Sequence, residues 1–296
     1  MKRLRSLEVA ICLSLLLLGW ASAAFPKTPV RVFVSILPQK YFVEKIGGKL
    51  VDVSVMVEPG ADGHTFEPKP KQMVALSKTM IYFAIGIEFE NVWLERFIAI
   101  NSKMLIVHTD AGIDKISMIT QHHGEERHNQ DKEVIKDPHI WLSPPLVKII
   151  SQNIIESLLD VDPAHGSIYK ANFKKFMLEI DDLDSELRKI FAGEDTGVEF
   201  MVFHPAWGYF ALAYDLEQVP VEIEGKEPKP AELKHLIQHA KEKDIKVVFV
   251  QPQFSPAKAR IIADSIGGQI AFVDPLAADW SKNLRETATK FKAALR

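Results

Sequence analysis

Residues 163–192 read PAHGSIYKANFKKFMLEIDDLDSELRKIFA, and their apolar members Tyr169, Phe173, Phe176, Ile180, Leu183, Leu187 and Ile190 recur at alternating steps of four and three. That spacing keeps one face of an α-helix apolar along its whole length. Asp162 is placed to cap the start, Pro163 suits the first helical position, and Gly193 follows the last turn. At about 1.5 Å per residue such a helix spans roughly 40 Å, too long for an ordinary connection between neighbouring strands. It is expected to be a spine joining two globular halves. The competing arrangement is one long helix laid along a single domain.

The same alternation of elements flanks the spine on both sides. Before it, strand-like runs at 30–36 (VRVFVSI), 51–57, 80–85 and 104–107 alternate with helical patterns at 39–46, 71–76 and 91–98, and a helix opens at Ser143-Pro144. After it, strands at 199–203, 218–223, 246–250 and 269–273 alternate with helices from Pro205, at 230–243 and at 256–266. Alternation of this kind predicts an α/β protein of two lobes, each a parallel sheet covered by helices, with a cleft between them. Ligands of such sheets bind beyond the carboxyl ends of the strands. The expected division is a signal peptide at 1–24, an N-terminal lobe at 25–162, the linking helix at 163–192 and a C-terminal lobe at 193–296.

Residues 1–24 carry Lys2, Arg3 and Arg5, an apolar run from Val9 to Leu18 and the small residues Ala21-Ser22-Ala23, which together read as a cleaved secretory signal. The apolar run is shorter than the ~20 residues of a membrane span. The single cysteine, Cys12, lies inside this signal, follows the bulky Ile11 and is a poor lipid-attachment site, so a free periplasmic protein is expected. A mature chain without thiols must build any metal site from His, Asp or Glu. Without the signal, 33 basic residues face 38 acidic ones and no basic block is present, which argues against nucleic acid as a partner.

Four residues stand where the strand-end rule directs attention. His64 lies in the turn-rich loop EPGADGHTFEP after the second strand, and His139 sits between prolines in DPHIWLSP. His204 ends the first strand of the second lobe at His204-Pro205, and Asp274 ends its last strand at Asp274-Pro275. Singly, each reads as a structural turn or helix start; together, three imidazoles and one carboxylate can close a tetrahedral shell around a borderline ion such as zinc. His122, His123 and His128, in the polar loop 121–134, could gather metal loosely or be incidental. Trp141 is expected to wall the site, and Glu67 to cap a helix or orient a ligand. His108, Asp110 and His165 are not assigned, and His235 and His239 lack the Glu of a His-Glu-x-x-His motif.

The segments PGADGHTFEPKPKQMVALSKT, DPHIWLSP, VFHPAWGYFA, VEIEGKEPKPAEL and VQPQFSPAKARIIADSIGGQIAFVDPL together resemble the solute-binding proteins of zinc and manganese ABC transporters (cluster A-I), particularly the ZnuA-like zinc group. The resemblance runs collinearly over nearly the whole mature chain. It implies one metal held between two lobes by residues matching His64, His139, His204 and Asp274. Manganese-type members tend to carry Glu at the position of His204, so the implied cargo is Zn(II), with Mn(II) as runner-up. Gly63 stands where some members have an acidic residue able to replace the distant Asp, which makes Asp274 the natural fourth ligand. Glu227 in GKEPKP is implied to orient a ligand.

The expected role is capture of periplasmic zinc and delivery to a membrane permease with its cytoplasmic ATPase, by a monomer that performs no covalent chemistry. The rigid spine should confine release to loop movement in one lobe. Neutral imidazole ligands make affinity fall below roughly pH 6.5. The alternatives are manganese as cargo, a secreted zinc hydrolase with Glu67 or Glu227 as base, and a surface adhesion module, for which no repeat or anchor is present.

Overall fold

The computed structural model describes residues 28–61, 63, 66–118, 135–223, 226 and 228–295; the signal segment, His64, Glu227 and the histidines of the 121–134 loop lie outside the described residues. The first sheet contains β1 (Val30–Val34), β2 (Val51–Val55), β3 (Ile81–Ala84) and β4 (Leu105–His108), all parallel in the order β2-β1-β3-β4. Its crossovers are α1 (Leu37–Gly47), α2 (Pro70–Leu76) and α3 (Glu88–Ile100). Every residue of β3 is buried, as the apolar IYFA requires of a central strand covered on both faces. Next come α4 (Pro144–Val161) and the spine α5 (Gly166–Phe191).

The second sheet repeats the plan with β5 (Val198–Val202), α6 (Gly208–Ala213), β6 (Leu216–Pro220), α7 (Pro230–Glu242), β7 (Val247–Val250), α8 (Pro256–Ser265) and β8 (Gln269–Phe272), in the order β6-β5-β7-β8. In each sheet the chain leaves the first strand toward one edge and the third strand toward the other. A crevice therefore opens between β1 and β3, and another between β5 and β7. The helix expected at Pro205 begins instead at Gly208, because residues 204–207 turn tightly, with the Ala206 N–H donating to the His204 carbonyl at 2.8 Å. β6 begins two residues earlier and ends three residues earlier than expected, although its ladder with β5 continues through Val221 and Glu222.

The spine is 26 residues of α-helix after a short 3₁₀ turn at Pro163–His165. That turn displaces Asp162 from the capping position; its carboxylate accepts instead from His165 Nδ1 at 2.7 Å and from the Tyr169 hydroxyl at 2.9 Å. Tyr169, Phe176, Ile180, Leu183 and Leu187 are buried as their spacing predicts, whereas Phe173 and Ile190 are half-buried and Phe191 takes the last core position. In the N-terminal lobe, Phe176 meets Tyr41 and Phe42 of α1 with ring centroids 6.1 and 6.0 Å apart, and Asn172 Nδ2 donates to the Ile46 carbonyl. In the C-terminal lobe, Phe191 meets Phe210 and Tyr214, and Arg285 pairs with Glu186. Each lobe is thus fastened to its own half of one helix.

A last helix, α9 (Trp280–Ala294), was not anticipated from the sequence and stitches the lobes a second time. Phe291 lies in the aromatic core of the second lobe, 4.2 Å from Phe200 and 4.6 Å from Phe249 between centroids. Trp280, at the other end, packs against Tyr41 and Phe42 of the first lobe. Among the described residues, no helix is long and apolar enough to cross a membrane.

Candidate metal centre

The two crevices face each other across one cavity. Ile36 after β1 and Ile87 after β3, with Gly63 from the loop after β2, line it from the first lobe; His139 and Trp141 come from the turn leading into α4. His204 after β5, Gln253 and Phe254 after β7, and Pro275 and Leu276 after β8 line it from the second. His139 and His204 are both buried, and their rings meet edge to face with centroids 5.3 Å apart. Phe254 stacks on the other side of His204 at 5.0 Å.

Each imidazole is backed by a buried carboxylate. His139 Nδ1 lies 2.7 Å from Asp137 Oδ1, which also accepts the His139 backbone N–H at 2.9 Å, so the Asp-Pro-His turn fixes its own ring. Asp137 is in turn anchored to the opposite lobe: the Tyr209 hydroxyl donates to its carbonyl at 2.8 Å and accepts the Ile116 N–H. Close approach of this carboxylate to α6 leaves little room for a larger residue, since a Cβ on Gly208 would lie 3.0 Å from Asp137 Oδ2 and from Gln218 Nε2. His204 Nδ1 lies 2.8 Å from Glu222 Oε2, and Gln251 grips the His204 backbone at both its N–H and its carbonyl. The extended β5–β6 ladder, in which the Glu222 N–H donates to the Phe203 carbonyl, places Glu222 beside the histidine. A carboxylate accepting the Nδ1 proton sets the tautomer with its lone pair on Nε2 and makes that nitrogen a better donor to a cation.

Asp274 is half-buried at the end of β8. Its Oδ1 accepts from the Leu276 N–H at 2.9 Å and from Gln253 Nε2 at 3.0 Å, and its carbonyl accepts from Asn283 of α9. The adjoining loop is tied across the lobes by two indoles: Trp141 Nε1 donates to the Pro275 carbonyl at 2.8 Å, and Trp280 Nε1 donates to the Trp141 carbonyl at 2.6 Å. Trp141 walls the cavity as its position implies, and it also clasps the Asp274 loop to the His139 turn.

Behind Ile87, the segment Ile85–Gly86 is held by Glu90, which accepts both backbone N–H groups and the Ser35 hydroxyl. Gly86 has φ +81, and a Cβ there would strike Lys115 Nζ. Burial raises the Glu90 carboxyl to about 7, against the lowering effect of its Ser35 and backbone donors. Because the folded-state value exceeds the unfolded one, the folded protein holds an extra proton between about pH 4.5 and 7, so this group's contribution falls as pH rises through that window and stays low above it. Glu90→Gln can donate to Ser35 Oγ while its amide oxygen accepts the two N–H groups. Its stability relative to the native chain is expected to rise across that window by roughly 3 kcal/mol. Urea unfolding of both proteins from pH 5 to 8 checks this; a pH-independent difference contradicts it.

Of the four residues that the sequence nominates, His139 and His204 are brought into contact, Asp274 bonds Gln253 of the cavity wall without lining the cavity itself, and His64 lies outside the described residues. Among the described residues, no three His, Cys, Asp or Glu side chains stand close enough together to hold an ion. Glu67 is exposed and off the cavity, and Gln72 rather than Glu67 engages the start of α2, through the Lys69 N–H. His108 and His235 are exposed, and His239 is tied to Glu199 at 2.5 Å.

Two parallel-sheet lobes facing each other through their switch-point crevices, and joined by one long helix, define a solute-binding protein of the rigid-spine kind. Residues 32–294 match the family described as zinc-uptake complex component A, periplasmic, and the chain belongs to that family. It is similar to a crystal structure of ZnuA, with 43% identity, TM-score 0.84 and coverage of 90% of this chain and 100% of that one. A ZnuA variant lacking residues 138–173, solved with zinc bound, gives 43% identity, TM-score 0.82 and coverage of 90% and 98%. The high-affinity zinc uptake system protein ZnuA of Bacillus subtilis (strain 168) is 28% identical over 253 residues, which are 83% of this chain and 78% of that protein. Proteins of this family are periplasmic metal-binding components of zinc ABC importers rather than enzymes.

Proposed function

We propose that this protein captures Zn(II) with His64, His139, His204 and Asp274 and hands it to the permease of an ABC importer driven by a cytoplasmic ATPase. The observation that carries the reading is the meeting of His139 and His204 at one cavity, each with Nδ1 on a buried carboxylate. Such imidazoles present Nε2 to a cation in a fixed direction, and a set dominated by nitrogen suits zinc better than manganese, which favours oxygen donors. Four protein ligands leave no position for an activated water, and Glu67 stands away from the cavity, so the arrangement supports carriage rather than hydrolysis.

Residues 1–24 serve as the secretion signal and are removed, and the mature chain works as a monomer in the periplasm. Both lobes are bound to the spine and to α9, so release proceeds by movement of a ligand-bearing loop and not by wide rotation of the lobes. The test is zinc titration of the protein lacking residues 1–24 against a chelating competitor, with manganese in a parallel arm and an ester and phosphate panel as a third. One zinc per chain, held more tightly than manganese and without turnover, supports the reading. Substoichiometric zinc, preference for manganese or zinc-dependent hydrolysis would overturn it.

A further inference from the structure

We propose that Gln253 makes Asp274 a one-oxygen ligand and thereby biases the site toward four-coordinate zinc and against manganese. This rests on the zinc-carrier reading above and names a residue that sets its specificity. Gln253 lies in the loop after β7, at the switch point of the second sheet, and lines the cavity together with His139 and His204. Its Nε2 donates to Asp274 Oδ1 at 3.0 Å. The orientation of the amide is dictated by chemistry: an ionised carboxylate only accepts, so the NH₂ end must face it. The other end, Oε1, is buried without a hydrogen-bond partner among the described residues, an arrangement that packing alone gives no reason to keep.

Both hydrogen bonds to the Asp274 carboxylate end on the same oxygen, since the Leu276 N–H also donates to Oδ1, at 2.9 Å. Two donors occupy the two lone-pair directions of Oδ1 and leave Oδ2 to a cation. Chelation through both oxygens would have to break at least one of these bonds. A carboxylate limited to one oxygen completes a tetrahedral shell with three imidazoles at the short distances zinc prefers. Manganese, which favours higher coordination and oxygen donors, loses the second oxygen that a chelating Asp would supply. The Leu276 donor belongs to the backbone and is common to any side chain there; Gln253 is the part of the device that sequence controls.

The test replaces Gln253 with methionine, which keeps length and volume but cannot donate. Co(II) serves as a spectroscopic stand-in for zinc, because its visible absorption is intense in a tetrahedral field and weak at higher coordination. The native protein is expected to give the intense spectrum. Gln253→Met is expected to give a weaker one and to lower the zinc-over-manganese affinity ratio by about tenfold, the scale on which partners of metal ligands act. An unchanged spectrum and ratio in a folded Gln253→Met protein overturn the proposal, as does a weak spectrum in the native protein. Asp274→Ala separates the two levels. If it lowers zinc affinity while Gln253→Met changes nothing, only the role of Gln253 fails; if it leaves zinc affinity unchanged, the four-ligand reading fails with it.

Discussion

Replacing Trp280 with alanine is expected to lower the unfolding free energy by about 3–5 kcal/mol, the cost of emptying a fully packed aromatic site. Only 1% of Trp280 is exposed, and its ring meets Phe42 edge to face at 5.1 Å while its Nε1 donates to the Trp141 carbonyl. At roughly 2–4 °C per kcal/mol for a chain of this size, the melting temperature should fall by about 10 °C. The effect should not stop at stability, because Trp280 and Trp141 together fasten the Asp274 loop to the His139 turn. Trp280→Phe separates the two contributions: it keeps most of the packing but leaves the Trp141 carbonyl without that donor, at about 1–2 kcal/mol. Thermal and urea unfolding of both variants measures the difference, and an alanine variant within about 1 kcal/mol of the native chain would show that α9 does not hold the lobes together.

The helix that carries Trp280 was within reach of the pattern that reveals the spine, but its joining role was not. The spine was legible because its apolar stripe is nearly unbroken and its length exceeds what a connection needs. α9 buries Trp280, Leu284, Thr287, Ala288 and Phe291, a stripe at steps of four, three, one and three, and Asp279 caps its start by accepting the Lys282 N–H, so both signals stood in the sequence although lysine, arginine, glutamate and other small or polar residues fill the rest. Its two large aromatics serve different lobes, a fact that only the packing discloses. Phe191 escaped the stripe for a smaller reason: Ile190 also continues the four-and-three pattern, and a helix of 3.6 residues per turn chooses between adjacent positions by what it packs on.

At the cavity, the positions of His139 and His204 were readable and most of their support was not. His204-Pro205 and Asp274-Pro275 end strands, and the strand-end rule locates them without coordinates. Asp137 was within reach of the same reading, since it precedes His139 by two residues in a proline turn. Glu222 was not: eighteen residues separate it from His204, and its place depends on the parallel register of β5 with β6 continuing beyond the strands proper. The motif VEIEGKEPKP drew attention to Glu227, whereas the acid that touches His204 is the one opening that segment. Gln253 was invisible for a related cause, since an amide is a weak zinc ligand beside imidazole and carboxylate, and its bond to Asp274 depends on how the loops after β7 and β8 pack.

His204→Ala is expected to weaken zinc binding by more than about 100-fold, because losing a ligand must cost more than losing a partner of a ligand, which costs about 10–100-fold. Glu222→Gln should fall inside that smaller range: the amide oxygen can still accept the Nδ1 proton and hold the ring, but the negative charge that strengthens Nε2 is gone. The informative measurement is the double variant. If Glu222 acts through His204, removing the histidine first leaves it nothing to orient, and His204→Ala with Glu222→Gln should bind zinc no more weakly than His204→Ala alone. Additive losses would instead mean that Glu222 reaches the ion or the fold by a separate route. Competition with a chelator of known affinity reads all four proteins, and a His204→Ala protein that holds zinc as tightly as the native one removes the basis for a site between the lobes. The same cycle with His139 and Asp137 has a different expected form, because the Asp137 carboxylate also accepts the His139 backbone N–H, whereas the Tyr209 bond to the Asp137 carbonyl survives a change of side chain. There the paired losses should fall in affinity and in stability together, since one carboxylate both aims a ligand ring and holds the turn that carries it.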